Sequence, residues 1–320
     1  MAYGDYQHIR IVVGDGICRA TIDNPPINLL DAGLIVELGR FATEVSADDE
    51  VRVVIVDSAD PDFFVAHADI TLIQRLPTDD TTLHDELSPF DAVVDLFRTM
   101  PKATIAVIEG IARGGGSELA LAFDMRFAAL GKARLAQPEV AIGIIPGGGG
   151  TQRLPRLIGR GRALEVVLGC DDIDAATAAT WGYVNRALPE GELRPFVDKL
   201  AARIASFPGE VVAAAKRAVD AAVGDPVAGL KVEDQIFRQT LAGPGAAERM
   251  QAFMANGGQT REVETGELQL EFAQPKTRDS PSGLTFTGTT SPSCTSPASS
   301  ILASWSPMAC WISLRSGRAP

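Results

Sequence analysis

Thr104-Ile105-Ala106-Val107-Ile108-Glu109-Gly110-Ile111-Ala112-Arg113-Gly114-Gly115-Gly116-Ser117-Glu118-Leu119-Ala120-Leu121-Ala122 decides how this chain is read. Thr104–Ile108 has the β-branched, apolar content of a buried strand, and Glu118–Ala122 reads as helix. Three consecutive glycines separate the two. A strand, a glycine turn and a helix in that order expose backbone N–H groups at the positive end of a helix, where an anion or a polarised carbonyl can be held. Glu118 brings a carboxylate into the same turn.

Upstream, Ile9–Val13 and Cys18–Ile22 flank Gly14-Asp15-Gly16 and predict an antiparallel hairpin. Leu30, Leu34, Leu38, Phe41 and Val45 recur at helical spacing, and Val51–Val56 is a short strand-like run. Phe63–Leu87 reads as a loop, Phe90–Met100 as a helix stopped by Pro101. Downstream, Met125–Leu130 is a further strand and Arg134–Glu139 a strand end or turn. Ile145–Thr151 is a glycine-rich turn without the Gly-Lys-Ser/Thr ending of a phosphate loop.

From Leu154 the pattern becomes helical: about Arg160–Gly169, Asp174–Trp181, Glu192–Ser206, Pro208–Val223 and Pro244–Asn256. Asp174 and Ser206-Phe207-Pro208 supply capping and first-turn signals. Strands alternating with helices, then helices alone, predict an α/β core with a helical C-terminal part. Composition changes again near the end, where 23 of the residues from Pro275 to Pro320 are Ser, Thr or Pro, so that segment is expected to be disordered on its own. The expected division is a core over 1–200 holding the site, a helical region over 201–262 and a low-complexity tail over 275–320.

A net charge of −12 with no basic cluster argues against a nucleic-acid partner. Cys18, Cys170, Cys294 and Cys310 are scattered, with no histidines at ligand spacing, which supports neither a disulfide framework nor a metal site. The first residues lack the charged and apolar regions of a signal peptide and no apolar run approaches a membrane span, so a cytoplasmic location is the expectation. His8 and His84 have no partner pattern and read as surface or packing residues.

Four segments in order resemble the enoyl-CoA hydratase/isomerase (crotonase) superfamily over residues 5 to about 262. They are Ala66-x-Ala68-Asp69-Ile70, Gly110-x-Ala112-x-Gly114-Gly115-Gly116-x-Glu118-Leu119-Ala120, Gln137-Pro138-Glu139 with Gly143-x-x-Pro146-Gly147, and Gly149-Gly150-Thr151-Gln152-Arg153-Leu154. The resemblance implies a crotonase-like ββα spiral core with a C-terminal helical trimerisation region, assembled as a trimer or a dimer of trimers. It implies an acyl-CoA thioester substrate, with coenzyme A arriving on the substrate and no separate cofactor.

By the same match, the backbone N–H groups of Ala68 and Gly115 form an oxyanion hole for a thioester enolate, and Glu118 and Glu139 are the catalytic pair of a hydratase. Ala66, His67, Asp69, Ile70, Arg113, Gly114 and Gly147 are candidate substrate-binding positions. Taken singly, each glutamate also fits a surface or helix-start charge, and Gly115 an ordinary tight turn. Family members with one glutamate, commonly at the position of Glu139, tend to be isomerases; two favour hydration of a 2-trans-enoyl-CoA. An isomerase, hydrolase, decarboxylase or dehalogenase on the same fold, and a non-catalytic acyl-CoA-binding subunit, are the alternatives.

Two residues depart from the family pattern. His67 stands where glycine is usual, and Arg113 where an apolar residue is frequent. A histidine there can hydrogen-bond locally and an arginine can pair with a carboxylate or with CoA phosphates; against this, His67 can simply pack and Arg113 can point to solvent. Asp69 and Asp124 read as turn or structural residues rather than catalytic ones. Met250, Phe253 and Met254 lie on an amphipathic helix of the kind that in the family covers a neighbouring site.

Overall fold

Asp15 and Gly16 both take positive φ (53° and 77°), the geometry of a tight two-residue hairpin, and join β1 (Ile9–Gly14) to β2 (Ile17–Ile22). The computed structural model describes residues 3–266 except 80, 84, 208, 221–233, 236, 240 and 244. Expectations for His84, for helix starts at Pro208 and Pro244, and for the tail over 275–320 lie outside the described residues. Met1–Phe272 forms one compact unit. Among the described residues no helix is long and apolar enough to cross a membrane.

Helix α1 (Ala32–Ser46) begins where Asp31 accepts a hydrogen bond from the Leu34 N–H, and it buries Leu34, Leu38, Phe41 and Val45 on one face. It is followed by β3 (Val53–Ser58), β4 (Phe63–Val65), α2 (Ile70–Ile73), α3 (Pro89–Thr99), β5 (Ala103–Ile108), β6 (Ile111–Arg113) and α4 (Gly115–Leu121). Then come β7 (Met125–Ala129), β8 (Arg134–Ala136), a 3₁₀ turn (Glu139–Ile142), α5 (Gly150–Ile158) and α6 (Arg160–Gly169). The remaining elements are β9 (Ile173–Asp174), α7 (Ala175–Trp181), β10 (Arg186–Leu188), α8 (Glu190–Ala205), α9 (Gly209–Asp220), α10 (Ala246–Ala255) and α11 (Arg261–Thr265).

The strands form two sheets, ordered β1-β2-β3-β5-β7-β10 and β4-β6-β8-β9. The chain alternates between them: β3 then β4, β5 then β6, β7 then β8, each turn adding one parallel strand to either sheet. This is the ββα spiral of the crotonase-like fold. Alternate side chains of β3 serve two apolar clusters. Val54 and Val56 pack with Leu34, Leu38 and Phe41 of α1, while Val53 and Ile55 pack with Leu193, Val197 and Ala201 of α8. A strand covered on both faces reads as a continuous apolar run, which is why β3 and β5 were legible.

The fold departs from two expectations. Phe63–Leu87 is not loop throughout, since Phe63–Val65 is a strand paired with β6 and Ile70–Ile73 a helical turn. The region after Leu154 is not helical alone, because β9 pairs with β8 and β10 with β7. These strands have two or three residues, too few to carry a period of two, and their partners are remote in sequence.

Candidate active site

The second sheet brings the ends of β4, β6 and β8 side by side, and the chain leaves each of them into the site. After β6, Gly114 adopts φ +48°, and its N–H donates to Ala136 O at the end of β8 (3.0 Å). A side chain at Gly114 would place its Cβ 2.6 Å from Glu139 Oε1, so a bare backbone is needed for that carboxylate to lie against the turn. Gly115 is the first residue of α4, where an N–H has no intrahelical acceptor.

After β4, the loop of His67 to Asp69 is zipped to Leu30: the Leu30 N–H donates to His67 O (2.9 Å) and the Asp69 N–H to Leu30 O (3.0 Å). That parallel bridge uses the groups on either side of Ala68 and turns its own N–H away from Leu30. Ala68 N lies 3.3 Å from where a Gly115 Cβ would stand. Two backbone donors therefore lie next to each other, and neither is taken by an acceptor among the described residues.

A cavity of about 40 Å³ opens beside these donors, walled by Ala68, Gly114, Gly115, Glu139, His67 and Ile70 among others. Glu139, at the start of the 3₁₀ turn, is 9% exposed. Glu118 does not line this cavity. Its carboxylate is buried under the glycine loop before α5, where Oε1 accepts the N–H groups of Gly148 (2.8 Å) and Gly150 (2.9 Å). Burial pushes the Glu118 carboxyl above the usual glutamate range, and those two donors with the nearby Arg153 charge oppose the shift. The Phe90 ring sits over Gly148, with Cδ1 2.7 Å from where a Cβ would stand.

The other expected positions separate. Ile70 lines the cavity; Ala66 is fully buried against Ile27, Phe63 and Ile111 and does not. Asp69 caps α2 by accepting from the Thr71 N–H (2.8 Å). Burial pushes the Asp69 carboxyl up, but hydrogen bonds from Thr71 and Gln259 outweigh it and hold the group below the usual range. Gly147 packs against the Phe237 ring. Asp124 accepts from the Thr104 N–H (2.9 Å) and pairs with Lys216 (2.9 Å).

Arg113 does not point to solvent. It is fully buried and forked onto Asp172, Nε at 2.8 Å and Nη2 at 2.6 Å, with Nη1 3.5 Å from the Glu264 carboxylate. His67 is 7% exposed and hydrogen-bonded to Glu264.

Sequence reading missed the Gly148 and Gly150 donors, because every residue but proline has an N–H and only the fold aims it. Asp91 on α3 was missed as well. It is fully buried, and burial, with the Glu118 charge adding to it against a Ser88 hydrogen bond, pushes its carboxyl up to about 7. Asp172 and Glu264 carried no signal, lying 59 and 151 residues from Arg113. Among the described residues no group of three or more His, Cys, Asp or Glu is placed to hold a metal ion.

The chain is 34% identical over 251 residues to the crotonyl-CoA hydratase of Syntrophomonas wolfei, covering 78% of this chain and 95% of that one. It is 37% identical over 229 residues to the mitochondrial enoyl-CoA hydratase of Pongo abelii, covering 71% and 77%. A crystal structure from Streptomyces avermitilis, itself only provisionally described as an enoyl-CoA hydratase, superposes with a TM-score of 0.76 at 41% identity, covering 81% of this chain and 95% of that one. The sequence profile of the enoyl-CoA hydratase/isomerase family matches residues 13–259, and the chain belongs to that family.

Proposed function

We propose that the chain is an enoyl-CoA hydratase that adds water across the double bond of a 2-trans-enoyl-CoA. The observation that carries the reading is the pair of untaken N–H groups, Ala68 and Gly115, beside Glu139 and one helix turn from Glu118. Water oxygen bonds to the β-carbon while Glu118 takes its proton. The π electrons move onto the thioester oxygen, where the two N–H donors receive the developing charge, an arrangement typically worth ~10²–10³ in rate per donor. The enolate then collapses as Glu139 delivers a proton to the α-carbon, and the two carboxyls exchange roles through solvent. The Gly148 and Gly150 bonds keep the ionised form of Glu118 accessible against burial.

The balance involves water and thioester alone, so coenzyme A enters with the substrate and no further cofactor is invoked. A CoA thioester is met inside cells, and a cytoplasmic location is part of the same proposal. Assembly with further copies of this chain as a trimer or hexamer is supported by apolar side chains that α9 leaves exposed, Val211 and Val219, near Leu157 of α5.

A second reading has its own observation. Glu139 lines the cavity and Glu118 does not, which is the arrangement a one-carboxyl isomerase needs. Hydration of crotonyl-CoA, followed by loss of the enoyl-thioester absorbance, separates the two. Both Glu118→Gln and Glu139→Gln are expected to lose at least ~10²-fold in kcat. A wild type that fails to hydrate crotonyl-CoA but moves the double bond of a 3-enoyl-CoA, with that activity lost only in Glu139→Gln, would favour the isomerase reading; normal hydration by Glu118→Gln would overturn the paired-glutamate mechanism.

A further inference from the structure

His67 replaces a small residue in the loop that carries the Ala68 donor, and its surroundings are not those of a packing residue. Its Nδ1 lies 2.9 Å from Ala68 O and its Nε2 2.6 Å from Glu264 Oε1. Both neighbours are oxygen acceptors. A carbonyl oxygen has no proton to give, so Nδ1 must donate. Glu264 Oε1 also accepts the Gln259 N–H (2.9 Å), and its Oε2 faces Arg113 Nη1 (3.5 Å), so both carboxylate oxygens are turned toward donors and Nε2 donates as well. An imidazole that donates from both nitrogens is an imidazolium.

The grip extends over the whole loop. Gln259 Nε2 donates to Asp69 Oδ1 (3.1 Å), and the Phe253 ring of α10 meets the His67 ring edge-on at 5.6 Å. Behind Glu264 stands Arg113, itself forked onto Asp172. The charged groups around His67 are thus Glu264 on α11, Arg113 on β6 with Asp172 behind it, Asp69 on its own loop, and Glu139 across the cavity.

We propose that Glu264 and the His67 imidazolium form a positioning ion pair for the oxyanion hole, in which the last helix of the described chain holds the 67–69 loop so that the Ala68 N–H faces the cavity. Glu264 fixes the ring, and the ring's Nδ1–H fixes the Ala68 carbonyl. The inference rests on Ala68 being an enolate donor. Replacing either partner breaks the clamp and loosens the donor without altering Glu118 or Glu139.

The sequence has three histidines, so ¹⁵N-histidine labelling gives signals that His67→Gln assigns by subtraction. At pH 7.5 both His67 nitrogens are expected to carry the protonated signature, and Glu264→Gln is expected to convert the ring to the neutral form. A neutral ring with one bare nitrogen in the wild type overturns the ion pair, whatever the enzyme's activity. With crotonyl-CoA, Glu264→Gln and His67→Gln are expected to lower kcat by about 10- to 100-fold with KM within about threefold. An unchanged kcat, or a loss that falls on KM instead, overturns the positioning role. An imidazolium signature in a chain that hydrates no enoyl-CoA supports the ion pair and counts against the hydratase reading instead.

Discussion

Gly116→Ala tests whether the spacing of the two backbone donors is set by contact between successive turns of the spiral. A Cβ added at Gly116 would stand 2.9 Å from both the carbonyl carbon and the Cβ of Val65, and closer still to the Val65 oxygen. Carbon atoms rest at ~3.5–4.0 Å, so α4 and the end of β4 must part by roughly 1 Å. Gly115 precedes the new methyl by one residue, and Ala68 follows Val65 by three. The separation therefore falls directly on the two N–H groups of the proposed oxyanion hole.

Overpacking of this kind costs ~1–3 kcal/mol of stability, and a 1 Å misplacement of catalytic groups costs on the order of 10²-fold in rate. The same exchange at Gly191, exposed near the start of α8 with nothing within 4 Å of the added carbon, is the control and is expected to be neutral or stabilising by up to ~1 kcal/mol. Thermal unfolding and crotonyl-CoA hydration of both variants make the measurement. If Gly116→Ala keeps kcat within threefold of wild type and unfolds at the same temperature, the contact does not set the donor geometry.

Asp91 gives a stability prediction with a definite sign. An acid moved from 3.8 to about 7 on folding holds its proton longer in the native state, so wild-type stability is highest below the lower value and declines as pH rises to the upper one. Asp91→Asn removes that decline, making it more stable than wild type at pH 8 by up to ~4 kcal/mol at ~1.4 kcal/mol per tenfold in proton affinity, with little difference at pH 4. Parallel denaturation curves at the two pH values would refute it. Phe90→Ala opens space above Gly148 beside Glu118, and is expected to raise kcat/KM for a six-carbon enoyl-CoA relative to a four-carbon one by ~10-fold or more; an unchanged ratio excludes Phe90 from chain-length selection. Tyr183→Phe breaks the buried 2.6 Å bond between the Tyr183 hydroxyl and Ser117 on α4, and should cost ~1–3 kcal/mol by chemical denaturation.

Much of the scaffold was legible in the residues. Strand β3 is apolar at consecutive positions because both of its faces are covered, and α1 shows its buried stripe because one helix face meets the sheet. The glycine turn ahead of Glu118 was legible for a local reason: Gly114 needs a positive φ, a condition written into one residue. The resemblance to a family, carried by four short segments, then extended the reading to residues 5 to about 262, and the family profile matches residues 13–259.

What the chain's own order determined stops at local conformation and pattern. The tertiary structure alone decided that β3 and β4, neighbours in sequence, belong to different sheets, because strand partners are chosen by burial across the whole core. It decided that Gly148 and Gly150 aim their N–H groups at Glu118, since backbone donors have no sequence signature. It also decided that Arg113 is paired and buried rather than solvated and that His67 is hydrogen-bonded to Glu264, because Asp172 and Glu264 reach them only after folding, and a buried arginine charge is tolerable only where an opposite one is brought to meet it.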